Sequence, residues 1–153
     1  MLQLNLPDYN FTIKKQNNKL VIFDSQRKKY VSLTPEEWVR QNFIRFLVDN
    51  KGYPAAKIAI EKELNVNGMK KRCDAILYDE FAQPQLIVEL KAPHIKITQS
   101  TFDQVAVYNS KLKVQYFILS NGIEHYCCKV DIENARYNFF GEIPLFSELI
   151  QNL

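Results

Sequence analysis

Three residues of this sequence have the types and spacing of a metal-assisted hydrolytic site: Asp74, and the pair Glu89 and Lys91 two positions apart. Side chains alternate along an extended strand, so Glu89 and Lys91 share one face while Val88 and Leu90 take the other and pack. Asp74 lies fifteen residues before Glu89, on what reads as the preceding strand, and adjacent pairing would bring its carboxylate beside Glu89. Two neighbouring carboxylates repel unless a cation joins them. Hard oxygen donors of this kind suit magnesium, or manganese in its place, with Asp74 and Glu89 as the metal ligands. A metal held there acidifies a bound water and neutralises charge developing on a phosphodiester. Lys91, a compact cation, would position or deprotonate the attacking water, or stabilise the pentavalent phosphate. The sequence leaves those roles open.

Chance must be weighed against this. A carboxylate two residues before a lysine arises on the order of once per hundred residues at average charge usage, and Asp49-Asn50-Lys51 is such a case. There Lys51 complements the dipole of a helix that ends beside Gly52. Glu89-Leu90-Lys91 instead interrupts an apolar strand, where burying charge is costly, and that asymmetry favours a functional role.

The elements that must position these residues can be read along the chain. Leu20 to Leu33 holds two short apolar runs around the polar stretch DSQRKK, which predicts an opening β-hairpin with Arg27, Lys28 and Lys29 in a solvated turn. Thr34 is a capping residue, Pro35 suits the first helical position, and Glu37 would complete a capping box. The apolar spacing of Val39, Phe43, Phe46 and Leu47 carries this helix to about Asn50. On its wheel Glu36 falls inside the apolar stripe near Phe43, whereas Glu37 points away. Glu36 is therefore the expected inward carboxylate, although the wheel alone does not settle Glu36 against Glu37.

Ile58 to Leu64 and Arg72 to Tyr78 read as strands joined by a turn over Asn65 to Gly68. Gln85 to Lys91 is apolar enough for a central strand covered on both faces, and Pro93 ends it. Thr101 to Asn109 fits a crossover helix with Gln104 and Tyr108 four apart on one face. Val114 to Leu119 and Ile123 to Val130 are strands around the Asn121-Gly122 turn, and the tail ends in a short helix. The order predicts an α/β fold, a mixed sheet flanked by helices.

At 153 residues the chain is expected to be one domain, 1–153, with its core over about 31–130. No apolar stretch approaches the length of a membrane span, and MLQLNLPDYN does not read as a secretory leader, which predicts a cytoplasmic protein. Cys73, Cys127 and Cys128 are expected to be reduced and structural. His125 beside Cys127 and Cys128 makes a poor zinc site, because adjacent cysteines on a strand point oppositely. A net charge of +3 permits a nucleic-acid partner without identifying one.

The ordered set is more specific than any member. Arg72-Cys73-Asp74-Ala75-Ile76-Leu77-Tyr78, then Leu86-Ile87-Val88-Glu89-Leu90-Lys91-Ala92-Pro93, then Gln104 and Tyr108, resembles the N-terminal nuclease domain of type I restriction enzyme R subunits. That resemblance implies a restriction-endonuclease-like fold of the PD-(D/E)xK superfamily and magnesium-dependent cleavage of DNA phosphodiesters at Asp74, Glu89 and Lys91. It also implies a glutamate on the first helix, which Thr34-Pro35-Glu36-Glu37-Trp38-Val39-Arg40 matches through Glu36. Gln104 and Tyr108 resemble the auxiliary pair of RecB-like nucleases. None of the four glycines opens a phosphate-binding loop, so an ATP-driven motor is expected to be absent from this chain and, where needed, supplied with specificity by a partner protein. Lys70, Lys71, Arg72 and Lys96, close to the site in sequence, are candidate contacts for backbone phosphate. Two other readings compete: a catalytically silent DNA- or protein-binding module on the same fold, and a small assembly protein.

Overall fold

A computed structural model describes residues 2–151. Three strands come first: β1 (Ile13–Gln16), β2 (Lys19–Asp24) and β3 (Lys29–Ser32), paired antiparallel in the order β1-β2-β3. The expected hairpin is β2 and β3. The added strand β1, sequence IKKQ, is exposed along its whole length and has no apolar face for periodicity to reveal.

Helix α1 (Pro35–Lys51) begins where the capping residues place it, with the Thr34 hydroxyl accepting from the Glu37 backbone N–H, and ends at Gly52 with φ 76°. Only half of the expected capping box forms, because the Glu37 carboxylate is drawn to Arg27, Arg40 and Gln41 instead.

The larger sheet has six strands in sequential order: β4 (Ile58–Val66), β5 (Met69–Tyr78), β6 (Pro84–Leu90), β7 (Tyr116–Ser120), β8 (His125–Asp131) and β9 (Arg136–Phe139). All neighbours are antiparallel except β6 and β7, which run parallel. Helix α2 (Gln99–Leu112) makes the crossover that a parallel pair requires. A short helix, α3 (Phe146–Gln151), closes the described chain. No helix among the described residues is long and apolar enough to cross a membrane.

Strand β6 is covered on both faces, as its sequence predicts. Val88 and Leu90 join Val39, Phe43 and Leu47 of α1 in one core. Ile87 joins Phe102, Val105 and Tyr108 of α2 in the other. Cys127 and Cys128 fall in different cores, as adjacent strand residues must, and all three cysteines are free and buried.

The alternation of β4 and β5 reverses partway along. Ile58 and Ile60 pack in the α1 core but Leu64 and Val66 in the α2 core, although all four have the same parity. Likewise Ala75 and Leu77 pack with α1 and Cys73 with α2. The reversal falls at Glu61, whose φ of 52° is left-handed, and at Asp74 opposite it, where the ladder skips a pair. Asp74 is also one step beyond the last β5–β6 pair, Ala75 with Val88. The two ladders that flank β5 thus lack a pair along one row, Glu61, Asp74, Glu89, while Glu89 keeps its place opposite Leu119 of β7.

Candidate active site

Where the β5–β6 ladder stops, the Asp74 carboxylate takes over as a partner for the β6 backbone. Oδ2 accepts the Leu90 backbone N–H at 2.8 Å, and Oδ1 accepts from Arg40 Nη2 at 2.8 Å. Helix α1 supplies Arg40 from one side of the sheet, while the Leu90 N–H carries β6 past the point where β5 leaves it. The next amide, Lys91 N–H, bonds the Ser120 carbonyl at 2.9 Å, which holds the end of β6 against β7.

Glu89 projects toward α2 and is 4% exposed. Its Oε1 is 3.9 Å from Lys91 Nζ, and its Oε2 is buried without a hydrogen-bond partner. Burial, then repulsion from Asp74 and contact with that carboxyl, pushes Glu89 up to about 10. Lys91 Nζ donates to Gln104 Oε1 at 3.0 Å, and Gln104 Nε2 donates to the Tyr108 hydroxyl at 2.9 Å. The four-residue spacing of Gln104 and Tyr108 on α2 makes that relay possible. Burial and the nearby Glu89 push Tyr108 up to about 12.

Glu36 stands at the solvent edge of the group. Burial raises its pKa, repulsion from Asp74 raises it further, and Arg40 and Lys91 oppose the shift. The wheel's expectation about the two glutamates is corrected here. The Glu36 side chain is 48% exposed and that of Glu37 only 8%. The wheel weighed α1 against its apolar stripe alone, but the helix buries a second, polar face made of Glu37, Arg40 and Gln41. Glu36 still reaches the site, from its mouth rather than from the core.

Arg27 requires a second correction. Far from lying in a solvated turn, it bonds Asp24, Glu37 at 2.8 Å and Glu61 at 2.9 Å. Glu37 is shared with Arg40 Nη1 at 2.6 Å, and Glu61 approaches the same nitrogen at 3.4 Å. Burial alone would lower the Arg40 pKa, but the Asp74 and Glu37 carboxylates outweigh it and raise the value. These arginines and glutamates were missed in the sequence because a polar side chain buried by pairing leaves no hydrophobic pattern. The one available signal was Glu61 within the strand run Ile58 to Leu64.

Lys70, Arg72 and Lys96 are exposed and Lys71 is partly so, with Lys70 and Lys71 near the tip of the β4–β5 hairpin. The structure brings Asp74, Glu89, Lys91, Glu36, Gln104 and Tyr108 together but leaves these four cations at the periphery. His125 bonds the Ser120 hydroxyl and the Asn5 carbonyl.

Among the described residues no three or more His, Cys, Asp or Glu side chains form a group arranged to hold a metal ion. The fit of a divalent cation therefore rests on two carboxylates, which is within the habit of magnesium, since it keeps several waters. The unpartnered Glu89 Oε2 is the atom such an ion would satisfy. A cavity of about 330 Å³ lies behind Arg40, lined by Asp24, Gln26, Gln41 and Arg45 among others, but Asp74, Glu89 and Lys91 do not line it.

A central strand that ends in an acid and a lysine, faced by an aspartate from its antiparallel neighbour, defines an α/β fold of the restriction-endonuclease-like kind. Residues 35–144 match the family model described as type I restriction enzyme R protein N terminus, and the chain belongs to that family. Among solved structures it is similar to a fragment assigned to the HsdR subunit of a type I restriction enzyme from Vibrio vulnificus YJ016. That likeness has a TM-score of 0.58 and 17% identity, and covers 78% of this chain and 25% of that one. The chain thus spans about a quarter of that relative's length. It is also similar to a protein of the DUF820 group from Anabaena variabilis ATCC 29413, assigned as a nuclease, at TM-score 0.48 and 12% identity over 97% of this chain and 88% of that one. No curated protein matches.

Proposed function

We propose that this chain hydrolyses DNA phosphodiesters with a divalent metal, magnesium or manganese, held by Asp74 and Glu89. The observation that carries the reading is Glu89, a buried carboxyl with one oxygen lacking any partner and a second carboxylate beside it. A fold retained only for packing gains nothing from that arrangement. When bound, the metal supplies Lewis acidity toward the phosphate and lowers the pKa of a coordinated water.

The protein's own groups do the rest. Arg40 and the Leu90 N–H fix the Asp74 carboxylate, one on each oxygen. Gln104 aims the Lys91 ammonium and is itself aimed by Tyr108. Lys91 orients the attacking water or stabilises charge on the phosphate, and Glu36 adds a third carboxylate at the mouth. Lys70, Lys71, Arg72 and Lys96 contact the DNA backbone, and a motor or specificity partner governs access to DNA.

Incubation with linear, nicked, branched and single-stranded DNA in magnesium or manganese tests this. Lys91→Ala should lower cleavage by about a hundredfold or more with an unchanged circular dichroism spectrum. Equal activity in Asp74→Ala would sink the proposed site. A second reading, a silent DNA- or protein-binding module, is favoured by Arg40, which already compensates Asp74 with a cation. DNA binding without cleavage under any divalent metal would support it.

A further inference from the structure

The N-terminal sheet carries a charge and surface that neither its packing nor the proposed cleavage site explains. Residues 13–32 hold six cations (Lys14, Lys15, Lys19, Arg27, Lys28 and Lys29) and one carboxylate, Asp24, a balance of +5 in a chain whose total is +3. The remainder of the chain is therefore net acidic. Arg27 and Asp24 are bound to each other, and no ion pair is formed among the described residues by the five lysines.

Register sorts the sheet into two faces. Ile22 pairs with Ile13 and Val31, and Ile22 is fully buried, so that face turns inward. The other face presents Lys14, Lys19, Val21, Phe23 and Tyr30. Phe23 and Tyr30 are directly paired across β2 and β3, with ring centroids 5.3 Å apart, and remain 38% and 36% exposed. Lys14 Nζ lies 4.0 Å from the centroid of Tyr30. Solvent-facing aromatics interleaved with unpaired lysines, free of acids, form the surface on which an unpaired nucleic-acid strand stacks its bases and rests its phosphates.

We propose that the outer face of the N-terminal sheet binds single-stranded nucleic acid, with bases on Phe23 and Tyr30 and phosphates on Lys14 and Lys19. The sheet is fastened to the cleavage site through Arg27, which shares Glu37 with Arg40, the partner of Asp74. A strand bound there is held in fixed relation to the site. The choice of DNA as that strand rests on the nuclease reading; the binding itself requires no metal and no cleavage.

Polarisation titrations of fluorescein-labelled oligo(dT) with the full chain in EDTA test the proposal. The Phe23→Ala/Tyr30→Ala variant should bind about tenfold more weakly, and should lose nothing further on a strand of abasic sites. Lys14→Ala/Lys19→Ala should weaken binding and flatten its salt dependence by about one unit of log–log slope. Unchanged affinity in either variant, equal preference for a duplex, or an aromatic effect that persists on the abasic strand would overturn the proposal. If the aromatic variant loses its native circular dichroism, the lysine variant decides alone. Binding that depends on these residues without cleavage under any metal leaves this face standing and removes the nuclease reading. Lys91-dependent cleavage with wild-type binding in both variants does the reverse.

Discussion

Two groups of buried charge lie side by side in this molecule and are built on opposite terms. In the Arg27–Arg40 network every carboxylate touches a guanidinium: Asp24, Glu37 and Glu61 on Arg27, and Glu37, Glu61 and Asp74 on Arg40. Glu89, against the Asp74 carboxyl, has no cation nearer than Lys91 at 3.9 Å and an oxygen with no partner. The first group balances its charges, although Arg40 Nε is itself buried without a hydrogen-bond partner, and serves to join α1, β4, β5 and the N-terminal sheet. The second is left short of positive charge, and in the proposed function a divalent cation makes up the shortfall. Charge burial alone does not separate architecture from chemistry; the state of compensation does.

Truncations should expose that difference. Removing Arg40 strands Asp74 in the interior and leaves Glu37 with Arg27 and Gln41 alone, so Arg40→Ala should destabilise the fold by about 3–5 kcal/mol, the cost typical of breaking a buried pair from one side. Urea denaturation measures it, and a loss below about 1 kcal/mol would mean that the network is not holding the elements together.

Glu89→Gln should do the opposite in metal-free protein. The folded state retains the Glu89 proton up to about 10, whereas its ordinary value is 4.5. Between those limits the unfolded chain binds fewer protons than the folded one, so the contribution is complete below the lower value and stability falls as pH rises through the window. In EDTA the thermal midpoint of the wild type should decline more steeply from pH 5 to 9 than that of Glu89→Gln, which removes the titration. Parallel profiles would place Glu89 with the compensated charges.

The smallest effect is expected at the relay. Gln104→Ala deletes the 3.0 Å acceptor of Lys91 and should lower kcat about fivefold, equivalent to about 1 kcal/mol for one lost hydrogen bond, with KM for DNA unchanged. A change confined to KM would assign Gln104 to binding rather than to aiming Lys91.

What the sequence discloses follows the same division. Helix α1 was legible because Thr34, Pro35 and Gly52 punctuate it, and β6 because its apolar run cannot be anything but covered. Asp74, Glu89 and Lys91 stood out as charge intruding on apolar strands. Strands β1 and β9 were silent: IKKQ is exposed throughout and RYNF nearly so, so neither shows alternation. Arg27 and Glu37 were misplaced because a wheel or a turn signal weighs apolar residues, while their burial is decided by polar partners: Glu61, on a strand 34 positions on, for Arg27, and Arg27, Arg40 and Gln41 for Glu37.

Glu61 answers two demands that no single amino acid satisfies together. Its backbone, at φ 52°, favours glycine or asparagine, and a longer side chain held there costs about 1–2 kcal/mol. Its position beside both guanidiniums favours a carboxylate on a long stem. Glutamate meets the second demand against the first, so residue 61 records a choice of electrostatic reach over conformational ease. A glycine there would relax the strand and leave both arginines one acid short; a glutamine would keep the strain and weaken the tie.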